Sequence, residues 1–198
     1  MVSQAAVAAT YTSAPAFLGQ LQGPSFTEDF SSLSSPATVT MTRSGNGFSD
    51  TFAAGLDLFG EQNVLLIFSQ AGDNYLTTSG GFSSSITINF DGPNTNAVGG
   101  SFYVDSGFEG PVAGGALRLS FSDGMVIDIF DQSNTTFWGY VSSVPLTSVT
   151  LSTFASNQFV GISKVTVGTA VPEPGTGLLA ALPAGLLLFM RRRWLNPR

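Results

Sequence analysis

Neither cysteine nor histidine occurs anywhere in the 198 residues. That removes disulfide frameworks, thiol nucleophiles, imidazole bases and the usual zinc sites together. Charge is also scarce: 10% of the residues are Asp, Glu, Lys or Arg, where about 25% is usual. Good helix formers are thin, with only 4 Met. What the chain has instead is 23 Gly, 17 Phe and many Ser and Thr, residues that suit tight bends and pleated surfaces better than helices. A hydrophobic fraction of 43% is enough to build a core, which excludes a generally disordered chain.

The few charges are segregated. Every acidic residue lies at or before Glu173, while Arg191, Arg192, Arg193 and Arg198 crowd the last eight positions. Up to Ala170 the cations are Arg43, Arg118 and Lys164 against twelve acids, a net of −9. A surface of that sign repels phosphate backbones, so nucleic acid is not expected as a partner.

The C-terminus reads as a membrane segment. Residues 175–190, GTGLLAALPAGLLLFM, carry no charge and run directly into Arg191-Arg192-Arg193-Trp194. As a helix the run covers about 24 Å, short of a ~30 Å hydrocarbon core, and Trp194 with snorkelling arginines extends its reach. It is apolar all round, unlike the surface helix of a globular domain, and Pro183 kinks it. The positive-inside rule sets Arg191, Arg192 and Arg193 on the cytoplasmic side and everything before Val171 on the other. Ahead of the run, Val171-Pro172-Glu173-Pro174 is an extended strip that its two prolines keep out of helix.

That order of Val-Pro-Glu-Pro, short apolar helix and terminal arginines resembles the PEP-CTERM sorting signal of exported bacterial proteins, also catalogued as the ice-binding protein C-terminal domain. The resemblance covers about the last 28 residues. It implies recognition and processing by a membrane-embedded exosortase. It also implies a precursor held in the inner membrane with its domain outward, then delivery to the cell surface or the exopolysaccharide matrix. Sorting tails of this kind are carried by unrelated domains, so the resemblance gives a route and leaves the activity of the rest open. More loosely, the second half resembles a β domain that accompanies such tails. The matching pieces are Ile88-Asn89-Phe90-Asp91, residues 119–124, Thr136-Phe137-Trp138-Gly139-Tyr140-Val141, residues 145–150 and residues 159–168. Ser163-Lys164 stands where relatives place Asp-Asn, so no role for that acidic pair carries over.

Residues 1–25 read as a poorly ordered N-terminus. Ala6-Val7-Ala8 resembles a small-residue cleavage site, which makes this segment a candidate remnant of a signal peptide, although no Lys or Arg precedes Arg43. Residues 26–168 read as one β domain and residues 169–198 as the sorting signal. Within the domain, nine runs are expected as strands: 38–42, 64–68, 86–90, 101–104, 117–121, 125–130, 137–141, 148–153 and 159–167. Ile86, Ile88 and Phe90 alternate with polar neighbours, as do Leu117, Leu119 and Phe121, and Ser122-Asp123-Gly124 marks a hairpin. Nine short strands in about 140 residues fit an all-β, two-sheet antiparallel sandwich of jelly-roll type, followed by a single short C-terminal transmembrane helix.

No catalytic residues emerge. Asp123 belongs to the expected turn, and Asp128 and Asp131, three apart, point to opposite faces of a strand, so they form no acid pair. The reading is therefore a non-enzymatic surface or matrix protein. The alternative is a carbohydrate-binding module in which Trp138 and Tyr140, on one face of their strand, stack on sugar rings, with structural calcium held by loop acids such as Asp91, Asp105 and Glu109. No acidic spacing of an EF-hand or calcium-binding nonapeptide is present. Thr38, Thr40, Thr42 and Thr87 fall short of the repeated flat array that ice binding demands. Asn134-Thr135-Thr136 matches a glycosylation sequon without meaning in a bacterial setting.

Overall fold

The computed structural model describes residues 8–33, 38–57, 59–70, 73–79, 84–92, 94–105, 114–132 and 136–170. The described chain is two packed antiparallel sheets and one short helix. The strands are β1 (Ala9–Tyr11), β2 (Leu21–Glu28), β3 (Thr40–Gly45), β4 (Phe48–Ala54), β5 (Val64–Gln70), β6 (Asp73–Ser79) and β7 (Ser85–Phe90). They continue as β8 (Ala97–Asp105), β9 (Gly115–Phe121), β10 (Val126–Gln132), β11 (Thr136–Val141), β12 (Ser148–Thr153) and β13 (Phe159–Ala170), and the helix is α1 (Ala14–Leu18). One sheet runs β1-β11-β8-β13-β6-β5, with β2 also paired to β13; the other runs β10-β9-β12-β7-β4-β3. From β7 onward the chain crosses from sheet to sheet at every connection except the β9–β10 hairpin, so consecutive strands build both layers together.

Alternation drives this packing. Ile86, Ile88 and Phe90 of β7, Leu117, Leu119 and Phe121 of β9, and Val149 and Leu151 of β12 turn inward from the six-stranded sheet. Phe102, Val104, Val160, Ile162, Val165 and Val167 meet them from the seven-stranded one. The expected Ser122-Asp123-Gly124 turn is present, with Gly124 at φ +91° and Phe121 N donating to Met125 O at 2.8 Å.

Each expected strand is found, and four more appear. β4 carries the inward set Phe48, Asp50, Phe52 and Ala54, whose aspartate breaks the apolar alternation. It follows β3 through Asn46-Gly47, both at positive φ, the two-residue hairpin turn that this dipeptide favours. β6 buries Thr77 and Thr78 on its two faces and so reads as polar. β2 contains Gly23-Pro24, tolerated because β2 pairs on one side only and its ladder with β13 shifts register there.

The N-terminal region departs from expectation. Residues 9–25, expected to be loose, form β1, α1 and the start of β2; the two strands join the seven-stranded sheet, and α1 lies on its outer face. Phe17 of α1 is fully buried there, in a cluster with Ala97, Val141, Ala170, Tyr11 and Phe137. The cross-strand pair Gly139 and Gly99 makes room for it. A Cβ on Gly139 would lie 2.6 Å from the Phe17 ring, and one on Gly99 would lie 2.8 Å from it. The last strand likewise runs to Ala170, three residues past its expected end at Val167 and two past the expected domain boundary at Gly168.

Emptying this seat should be costly: Phe17→Ala is expected to lower unfolding free energy by about 3–5 kcal/mol in urea titration. Gly139→Ala should destabilise the wild type and do so much less in the Phe17→Ala background, a coupling that a double-mutant cycle reads directly.

Candidate functional site

The sorting residues Val171, Pro172, Glu173 and Pro174, the apolar run 175–190, and Arg191, Arg192 and Arg193 lie outside the described residues. Among the described residues no helix is long and apolar enough to cross a membrane. The structure bears instead on the aromatic pair, on the buried acids and on the outer faces of the sheets.

Trp138 and Tyr140 do share one side of β11, as alternation requires, but that side is the inter-sheet core. Tyr140 is 3% exposed, with its ring 4.6 Å from that of Phe121. Trp138 is half-buried against the same core, and its Nε1 is buried without a hydrogen bond to protein. The opposite side of the strand is dry too, because Phe137 packs on Phe17 with ring centres 5.6 Å apart. The expected stacking face at Trp138 and Tyr140 is therefore not displayed. Thr136, Phe137 and Trp138, in the first half of the strand, keep partial exposure, whereas Gly139, Tyr140 and Val141 are buried.

What Tyr140 does is structural. Its hydroxyl donates to Asp123 Oδ2 at 2.6 Å, Ser142 Oγ donates to the same oxygen at 2.7 Å, and Met125 N donates to Oδ1 at 3.0 Å. Burial pushes the Asp123 carboxyl up, but the bonds from Ser142, Tyr140 and Met125 outweigh it and hold the group below the usual range. The same burial and the bond to Asp123 push the Tyr140 phenol up to about 12. This knot ties the β9–β10 turn of one sheet to β11 of the other.

Three further acids are enclosed, Glu28, Asp50 and Asp105. Glu28, at the end of β2, accepts Arg43 Nε at 2.5 Å and the backbone N–H of Phe30 at 2.7 Å. The pair fastens the corner where the chain leaves one sheet for the other. Phe30 sits at φ +57°, and its carbonyl is held by Asn74 Nδ2 at 3.1 Å. Asp50 is different. It faces inward between Phe48 and Phe52, is 0% exposed, and makes no hydrogen bond to another protein group. Arg43, its partner in register, directs its guanidinium to Glu28 and Ser32. Burial alone pushes the Asp50 carboxyl up to about 7. On the outer face of the seven-stranded sheet, Tyr75 and Tyr103 are buried edge to face, centres 5.2 Å apart, and burial raises both phenols.

The acids named from sequence do not converge. Asp123 is engaged by Tyr140 and Ser142, Asp128 by Arg118, and the Asp131 side chain lies outside the described residues, as does Glu109. Among the described residues no group of three acids is arranged to hold a metal ion.

The surface that sequence reasoning missed is the outer face of the six-stranded sheet. Register aligns Thr42, Thr51, Asn89 and Ser148 in one row, and Thr40, Ala53, Thr87, Thr150, Ser120 and Val126 in the next. Thr42 and Thr51 hydroxyls are 3.1 Å apart, and Thr87 and Thr150 hydroxyls 2.9 Å. Thr40, Thr42 and Thr87 thus do belong to a flat hydroxyl face, although it mixes Thr with Ser, Asn and Ala. Thr38 is apart, bridged to Leu65 of the other sheet.

A third row holds Ser152, Arg118 and Asp128. Arg118 grips Asp128 with two bonds, Nε to Oδ1 at 2.7 Å and a terminal nitrogen to Oδ2 at 2.9 Å. The guanidinium also lies 4.8 Å from the centre of the Phe154 ring. Beyond it Phe130 and Phe154, 65% and 48% exposed, meet with ring centres 5.9 Å apart and planes 31° from parallel. The signal available in the sequence was Phe130 at an outward position of β10 and Phe154 just past the end of β12, but only pairing through β9 joins them.

No protein-family model and no curated protein matches this chain. Function must be argued from the tail residues and from these surfaces.

Two outcomes follow. Tyr140→Phe, which strips Asp123 of a buried donor, should cost about 1–3 kcal/mol by chemical denaturation. Asp50 should make the sandwich less stable in alkali. Its folded pKa is above the unfolded value of 3.8, so the unfolded chain binds fewer protons and stability falls from about pH 4 until the folded group ionises near pH 7. The loss is of the order of 4 kcal/mol. The urea midpoint should fall between about pH 4 and pH 7 in the wild type and hold steady in Asp50→Asn.

Proposed function

We propose that this chain is an exported bacterial surface or extracellular-matrix protein whose β-sandwich is delivered by a C-terminal sorting signal. The observation that carries the reading is the uninterrupted order of Val171-Pro172-Glu173-Pro174, the uncharged residues 175–190 and Arg191-Arg192-Arg193. In this reading residues 175–190 are a short transmembrane helix, the arginines stay inside, and an exosortase acts near the prolines. β13 ends at Ala170, immediately before the motif, so every described strand precedes Val171, which suits a removable address.

The role of the sandwich is non-enzymatic in this reading. Its buried acids are taken up in tying strands together or are enclosed singly, as Asp50 is. We read the winding as jelly-roll type, because the last two strands lie in different sheets and each sits inside its sheet between earlier strands, β12 between β7 and β9, and β13 between β8 and β6 with β2.

Mass spectrometry of the mature protein from a bacterial host with an exosortase tests the reading. A C-terminus between Val171 and Gly175 is expected, with the tail retained when Pro172, Glu173 and Pro174 are all replaced by Ala. An intact tail in the wild-type protein would overturn processing.

A further inference from the structure

The outer faces of the two sheets are not equivalent, and the difference selects a ligand. The seven-stranded sheet is closed outward over Phe17 and over Tyr75 and Tyr103, all buried. Among the described residues nothing covers the outer face of the six-stranded sheet, and no apolar cluster lies on that side. Its middle is hydroxyls in register, strands about 4.8 Å apart. Its end at β10 holds Phe130, Phe154, Arg118 and Asp128. We propose that this end is a binding platform for an extended, neutral polysaccharide of the β-1,4-linked kind, whose flat sugar rings present C–H faces to aromatic rings and hydroxyls at their rims.

Charge is the first argument. The domain up to Ala170 carries −9, yet among the described outward side chains of the six strands the charges are Arg118 and Asp128, and they neutralise each other. An anionic polymer gains nothing here and is repelled by the rest of the domain. A cationic one would be drawn to the acidic loops rather than to this face. A neutral chain fits.

Geometry is the second. Phe130 and Phe154 are large rings left in water, where single exposed apolar residues are ordinary but a contacting pair marks a binding surface. Their 5.9 Å separation is on the scale of one sugar unit. Arg118 is braced on both sides, by Asp128 and by the Phe154 ring, so its remaining donors are fixed in place before a ligand arrives and little side-chain freedom is lost on binding. Asp128 supplies acceptors, and Ser152, Ser120 and Thr150 continue the polar surface across the sheet. Aromatic rings beside a planar, oriented donor–acceptor pair can take up both the apolar face and the polar rim of a sugar.

The inference does not rest on the sorting tail, so an unprocessed tail leaves it standing. The test is native electrophoresis of the full chain, in mild detergent, through gels containing hydroxyethylcellulose, polygalacturonate or neither. Retardation by hydroxyethylcellulose and none by polygalacturonate is expected. Phe130→Ala with Phe154→Ala should weaken it about tenfold, the effect of losing an aromatic anchor. Arg118→Gln, which leaves both rings and removes an exposed ion pair and the guanidinium beside Phe154, should weaken it as well and stands in if the double variant melts abnormally. Trp138→Phe should not. Equal mobility with and without hydroxyethylcellulose would overturn the proposal, as would full retardation in both platform variants. So would sedimentation showing that the platform variants split a dimer of this chain, since a second copy would then be the occupant.

Discussion

Burial of every second residue between the two sheets is the constraint on which the rest of the molecule depends. It fixes register strand by strand, because a slip of one residue would turn each inward Ile, Leu, Val or Phe to solvent. It also decides what lies outside. In the six-stranded sheet the other set of alternate residues is hydroxyl-rich and wet. In the seven-stranded sheet a second apolar layer forms, with Phe17 seated on paired glycines. The molecule therefore has one dry flank and one open flank, and the two differ in chemistry as much as in cover.

Much of the domain was legible in the sequence where alternation was clean. β7 and β9 declare themselves because each carries three apolar residues at two-residue spacing between polar ones, and the turn at Asp123-Gly124 declares itself through its backbone needs. β4 and β6 hid because their inward or doubly buried positions hold Asp50, Thr77 and Thr78. β2 hid behind Gly23-Pro24, which a strand bears only at an unpaired flank. The two-residue turn at Asn46-Gly47 was readable and would have revealed β3 and β4 as a hairpin.

The candidate sites show a different limit. Alternation correctly put Trp138 and Tyr140 together, but it does not say which side of a strand meets water, and a helix from far upstream closes the side opposite them. The hydroxyl rows and the Phe130–Phe154 contact depend on pairing between residues as distant as Thr87 and Thr150. No local pattern carries such information, since it exists only after the chain has crossed between layers several times. The tail is the converse case: the reading proposed for it rests wholly on local composition and order.

β13 has a consequence for load. Twelve residues long, it lies inside its sheet, with β8 along one side and β6 and β2 end to end along the other. Its final residue, Ala170, adjoins the segment read as an anchor. Traction applied there would run along the strand axis and strain both ladders in shear, so that many backbone bonds must give together rather than peel apart singly. A domain pulled from the end of such a strand resists by shear along its whole length.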